Sequence, residues 1–170
     1  MVPYGIRNRP LELGQIKNID LEEYAKELQE KMMKQITQRY TQTVIDLWQN
    51  PKNFRKIDSP DGYASVKGSC GDTMEMFLKM KDKRISECTF NTDGCGTTLA
   101  CGSAATELAM KKTFTQALAS VGTDAILKKL GGLPKEDVHC AQLAAETLRK
   151  ALADQLYQKQ NPWKKQYRKS

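Results

Sequence analysis

The chain has 170 residues, 39% hydrophobic and 28% charged, which is the length of one domain and close to the composition of ordinary globular proteins. That excludes a wholly disordered chain, a collagen-like or coiled-coil fibre, and a second large domain. The net charge is +7, but Lys159, Lys164, Lys165, Arg168 and Lys169 supply five of those charges after residue 157 with no acid among them. The body is therefore nearly neutral, the last residues read as a solvated basic tail, and a nucleic-acid-binding role is not expected.

From Leu21 to Trp48 the apolar residues fall at helical spacing, with Leu21, Tyr24, Leu28, Met32 and Ile36 followed by Val44, Leu47 and Trp48, so two helices or one kinked helix are predicted. Asp20 is the expected N-cap, and Pro51 ends the run. Residues 51–62 then read as loop and turn. Met74, Met76, Leu78 and Met80 alternate with Glu75, Phe77 and Lys79, which predicts a half-buried strand. A turn at Asp82-Lys83 leads to a second strand from Ile85 to Thr92, and Tyr63 to Lys67 is a weaker strand candidate upstream. The fold class is therefore α+β: a small three-stranded antiparallel sheet covered on one face by helices, with an extra N-terminal helix. The covering helices are expected at Thr98 to Lys112, around Asp124 to Leu130, and from about Asp137 to Tyr157.

No run of residues is apolar enough for a membrane span, and the N-terminus has no apolar core of a signal peptide. No membrane role is expected, and the cytoplasm is the expected compartment. Five cysteines in a reducing compartment point to free thiols or metal ligands rather than disulfides. Cys70 lies in Gly68-Ser69-Cys70-Gly71-Asp72 and Cys95 in Asp93-Gly94-Cys95-Gly96-Thr97, both at breaks between elements where glycines permit tight turns and close approach to a ligand. Cys140 follows His139 in the opening turn of the last helix, where the helix dipole favours thiolate, yet it also belongs to that helix's apolar stripe. Cys88 shares strand parity with Phe90 and reads as core; Cys101 is ambiguous. Asp72 is either a turn-capping carboxylate or a fourth ligand, and His139 either a ligand or a hydrogen-bonding neighbour. Three thiolates plus one oxygen or nitrogen donor suit zinc, iron or an iron-sulfur centre.

The stretch from Tyr40 to about Tyr157 resembles the iron-sulfur cluster assembly scaffolds of the IscU and N-terminal NifU family. The matching residues are Tyr40-Thr41-Gln42-Thr43-Val44-Ile45-Asp46 with Asn50-Pro51 and Asn53, then Cys70-Gly71-Asp72, then Asp93-Gly94-Cys95-Gly96 with Thr106-Glu107, then Leu133-Pro134 and His139-Cys140. The long insertion between the second and third cysteines of the zinc-dependent SufU relatives is absent. The resemblance divides the chain into an N-terminal helical extension (1–39), a scaffold domain (40–157) and a basic tail (158–170).

It implies a carrier rather than an enzyme. The carrier would take sulfur from a cysteine desulfurase together with Fe2+, hold a labile [2Fe-2S] cluster, and pass it to apo-proteins, with a ferredoxin-type electron donor among its partners. The ligands it implies are Cys70, Cys95 and Cys140 with Asp72 or His139 as the fourth, and Cys140 is the implied persulfide acceptor. Zn2+ would occupy the cluster-free form. The alternative is a zinc-bound sulfur acceptor that partners a desulfurase without building a cluster. Several positions depart from the family. The chaperone-recognition segment Leu-Pro-Pro-Val-Lys reads Leu133-Pro134-Lys135-Glu136-Asp137, which argues against a dedicated Hsp70-type chaperone. Asp137 replaces a lysine, Arg55 a glycine and Cys101 a serine. The N-terminal extension is open to docking on the domain, pairing in a homodimer, or binding a partner.

Overall fold

A computed structural model describes residues 21–163. The predicted Asp20 cap and the charged end of the tail lie outside the described residues. The chain divides into two units, residues 1–35 and 36–170. Helix α1 (Leu21–Arg39) starts in the first and ends in the second, and it places Glu22 and Glu23 in its first turn, where they complement the helix dipole. None of its residues is buried, and Leu21, Tyr24, Leu28 and Met32 are exposed.

After the end of α1, the second unit continues with α2 (Gln42–Gln49), capped by the Thr41 hydroxyl, which accepts the Val44 N–H. Three strands follow, β1 (Gly62–Lys67), β2 (Thr73–Lys81) and β3 (Arg84–Thr92), in the order β1-β2-β3 and antiparallel throughout. Asp82 and Lys83 both adopt the left-handed backbone conformation that a two-residue hairpin turn requires. A bulge between Lys79 and Met80 shifts the register near that turn.

Period two sends Ala64, Val66, Met74, Met76, Leu78, Cys88 and Phe90 into one core. Helices α3 (Gly96–Ala109) and α6 (Val138–Gln160) pack on the sheet and on each other to close it. Cys88 is fully buried, as its strand parity predicts. Between these helices lie α4 (Phe114–Ser120) and α5 (Thr123–Leu130), and a single 3-10 turn (Lys135–Asp137) leads into α6. Helix α4 is absent from the sequence-based expectation. It is seven residues long and held by a capping box in which Thr113 and Gln116 satisfy each other's backbone N–H groups. Helix α3 starts two residues earlier than predicted, at Gly96. Nearly all of its residues are buried, so no apolar stripe marks its beginning.

The loop after α2 locks α3 against the sheet. The Lys52 N–H donates to Ser103, Asn53 donates to Thr106, and the Asn53 carbonyl accepts the Phe90 N–H on the outer edge of β3. Glu107 of α3 pairs with Lys52 at 3.2 Å and Lys129 at 3.0 Å. Partial burial opposes ionisation, but the two ammonium groups outweigh it and hold the Glu107 carboxyl below its ordinary range. These contacts fasten α3, with Cys95 at its mouth, to the sheet and the neighbouring loop.

Candidate metal and sulfur centre

Cys70 and Asp72 sit in the β1–β2 connection, tightened by Gly71, which is in the left-handed region, and by the Gly68 N–H donating to the Asp72 carbonyl at 2.8 Å. Cys95 is the N-cap of α3 and Cys140 the third residue of α6. Three separate elements therefore bring these side chains together.

Their meeting point is the hydroxyl of Thr98, a residue the sequence reading did not single out. Thr98 Oγ1 donates to Asp72 Oδ2 at 3.1 Å and lies 3.5 Å from Cys140 Sγ and 3.6 Å from Cys95 Sγ. One fully buried hydroxyl thus touches three of the five candidate ligands. A fourth, His139, has its Nε2 3.5 Å from Cys140 Sγ. Cys70 is close enough for its charge to act on Cys140, although it shares no hydrogen bond with the others in the described structure. Gly94 makes the convergence possible: a Cβ there would come within 2.7 Å of Asp72 Oδ2 and 2.8 Å of the Thr98 Cβ. Gly96 has a similar function on the other side, because a Cβ would enter the Trp48 ring at 2.1 Å. The indole of α2 therefore packs against the start of α3, next to the residue that follows Cys95. Among the described residues, no three His, Cys, Asp or Glu side chains stand at the spacing of a closed metal centre.

The thiols differ sharply in environment. Cys70 and Cys95 are exposed. Burial alone would raise the Cys95 thiol, but the backbone N–H groups and hydroxyls of Thr98 and Thr97 outweigh it and hold the thiol below its ordinary value. Cys140 separates the two readings of its position, and the structure gives the buried one. Its place in the opening turn of α6 predicts a stabilised thiolate, yet it is only 1% exposed, and its thiol is pushed up to about 12. Burial is the main cause; the Thr98 hydroxyl opposes it, and the negative charges of Cys95, Cys70 and Asp137 add to it. Packing outweighs the helix dipole here. Cys101, ambiguous in the sequence, is fully buried, and burial followed by the charges of Cys140 and Cys95 pushes its thiol strongly upward.

Asp137 is held by the residues leading into α2. The Tyr40 hydroxyl donates to it at 2.7 Å and Arg39 pairs with it at 3.8 Å. Burial and then this carboxylate raise the Tyr40 phenol above its ordinary value.

Thiols and a carboxylate gathered from three elements, part exposed and part covered, on a helix-covered three-stranded sheet, define a carrier of metal or sulfur. Comparison with known proteins narrows the class. The family described as "NifU-like N terminal domain" matches residues 39–162. Two IscU iron-sulfur cluster assembly scaffold proteins of Archaeoglobus fulgidus are each 45% identical over 116 residues, covering 68% of this chain and 75% of theirs. The IscU scaffold of Escherichia coli is 37% identical over 120 residues, covering 68% of this chain and 92% of its own. The N-terminal NifU-like protein of Brucella abortus shares the fold, with a TM-score of 0.55 at 17% identity over 69% of this chain and 94% of that one. The chain belongs to the IscU and N-terminal NifU family of iron-sulfur cluster scaffold proteins. Among the described residues no helix is long and apolar enough to cross a membrane.

Proposed function

We propose that the protein is a scaffold on which a labile [2Fe-2S] cluster is assembled from Fe2+ and desulfurase-derived sulfur and then passed to apo-proteins. The cluster is cargo, and Cys70, Cys95 and Cys140 with Asp72 or His139 are its ligands. The observation that carries this reading is the convergence of Cys95, Cys140 and Asp72 on the Thr98 hydroxyl in a member of the scaffold family. Asp72 suits the fourth position on two grounds: it already faces the two sulfurs through Thr98, and a carboxylate binds iron less tightly than thiolate, which keeps the cargo exchangeable.

Sulfur delivery follows thiol exchange chemistry. The Cys140 thiolate attacks the outer sulfur of the desulfurase persulfide, that S–S bond breaks, and the desulfurase cysteine leaves as a thiolate. Reduction of the Cys140 persulfide to sulfide takes two electrons, which is the role for a ferredoxin-type donor. Because Cys140 is covered in the free chain, the first turn of α6 must open when the desulfurase docks.

The test is anaerobic incubation of the full chain with ferrous iron, cysteine and a cysteine desulfurase, followed by addition of an apo-ferredoxin. The expected result is a visible chromophore with acid-labile sulfide that moves to the ferredoxin, and its loss in C95S. A colourless wild-type chain, or one that retains zinc against iron while still stimulating the desulfurase, overturns the scaffold reading.

A further inference from the structure

Thr98 is the third residue of α3, so the residue four positions earlier, Gly94, lies before the helix and offers no carbonyl of a preceding helical turn. A mid-helix threonine commonly spends its hydroxyl on such a carbonyl. Freed from that, the Thr98 hydroxyl points into the site. It has one proton and two lone pairs but three neighbours, Asp72 Oδ2 at 3.1 Å, Cys140 Sγ at 3.5 Å and Cys95 Sγ at 3.6 Å. While the thiols are protonated the proton goes to the carboxylate, which only accepts when ionised; a deprotonated sulfur competes for that same proton, and both sulfurs are gathered around the one oxygen. The arrangement demands a bare Gly94, whose Cβ would collide with both Asp72 and Thr98.

We infer that Thr98 is a positioning residue of the cargo site, tethering Asp72 and drawing Cys95 and Cys140 to one point before metal arrives. When Asp72 turns to a metal ion, the Thr98 proton is released and the nearest acceptors left to it are the two sulfurs, so the same hydroxyl becomes a hydrogen-bond donor to a ligand sulfur in the loaded state. This inference rests on the scaffold reading for the identity of the cargo, but it also applies to zinc alone.

The test compares wild type, T98S, T98V and T98A as full-length, metal-free chains. Zn2+ affinity is measured by competition with a chromophoric chelator, and the absorption bands and reduction potential are measured on cluster-loaded protein. T98V, which keeps the volume and loses the hydroxyl, is expected to bind Zn2+ about 10- to 100-fold more weakly, the usual cost of losing an outer-shell partner. Its loaded form is expected to show shifted sulfur-to-iron bands and a lower potential, because hydrogen bonds to cluster sulfurs raise it. T98S restores both readouts. T98A carries the same expectation as T98V should the valine variant fail to fold. If Thr98 merely filled space, T98V would keep wild-type Zn2+ affinity, bands and potential, and that outcome overturns the inference while leaving the scaffold intact. A wild-type chain that takes up neither zinc nor a cluster overturns both.

Discussion

The division between exposed and buried thiols predicts the order in which the cysteines react. Alkylation proceeds through the thiolate, and the Cys140 thiol lies at about 12 against an ordinary value of 9.0. Three pKa units correspond to about a 1,000-fold smaller thiolate fraction at neutral pH, before the barrier from burial of the sulfur is counted. Cys95 is displaced the other way and is exposed, so its thiolate is more abundant than that of a free cysteine. Metal-free native protein is treated with iodoacetamide at pH 8, quenched over a time course, and mapped by peptide mass spectrometry. Cys95 and Cys70 should be modified first, while Cys140, Cys101 and Cys88 stay protected until guanidinium is added. D137N removes one of the charges opposing ionisation of Cys140 but leaves its burial intact, so it should quicken labelling there by less than about tenfold. Labelling of Cys140 as fast as Cys95 in the native wild type would refute the argument that packing overrides the helix dipole at this position.

Three other substitutions probe the frame that holds the site. In G102A the new Cβ would lie 2.4 Å from the Phe90 ring; overpacking of about 1–3 kcal/mol exceeds the helix-propensity gain of about 1 kcal/mol, so the thermal midpoint should fall, and a rise would contradict the packing. Y40F removes the hydroxyl that donates to Asp137 and should cost about 1 kcal/mol in urea unfolding, with an unchanged midpoint showing that the contact contributes nothing. T113A deletes half of the α4 capping box and should cost about 1 kcal/mol, read as faster amide exchange confined to residues 114–120.

The parts of the fold that repeat with a period could be read from the residues alone. Met74, Met76 and Leu78 announce β2 because one face of that strand joins the core cluster while the other carries Glu75 and Lys79, Phe77 being the buried residue among them, and Leu143, Leu148 and Leu152 mark the apolar stripe of α6. The beginning of α3 has no such contrast. It is wrapped on all sides, so small residues fill it and the pattern vanishes. Helix α4 is too short for a period to show, although Thr113 and Gln116 spell its capping box three residues apart. The sequence motifs nominated five candidate ligands, and the structure gathers Asp72, Cys95, Cys140 and His139 in one place. Thr98 was missed because a threonine near a helix start reads as an ordinary helix residue. The available signal was its spacing from Cys95, since residues three apart near a helix start share a face. The covered state of Cys140 was legible as one of two readings: the apolar stripe of α6 pointed to burial and the helix terminus to a thiolate, and a rule about helix termini carries no information about what packs above them.

The origin of the proposed ligands in three elements has an energetic consequence. Cys70 and Asp72 hang from the β1–β2 connection, Cys95 from the start of α3 and Cys140 from α6. Cargo that joins all three crosslinks the sheet to both covering helices. A ligand set assembled only in the folded chain stabilises that fold by its own binding free energy, so loading and stability are linked. The linkage also works in reverse: any partner that pries the first turn of α6 from α3 separates Cys140 from Cys95 and weakens the cargo's hold. A buried third thiol beside two exposed ones suits that exchange. On the proposed function, the exposed pair lets cargo arrive and leave at the surface, while Cys140 takes up sulfur with the helix start open and holds cargo with it closed, so retention and release depend on the same small movement.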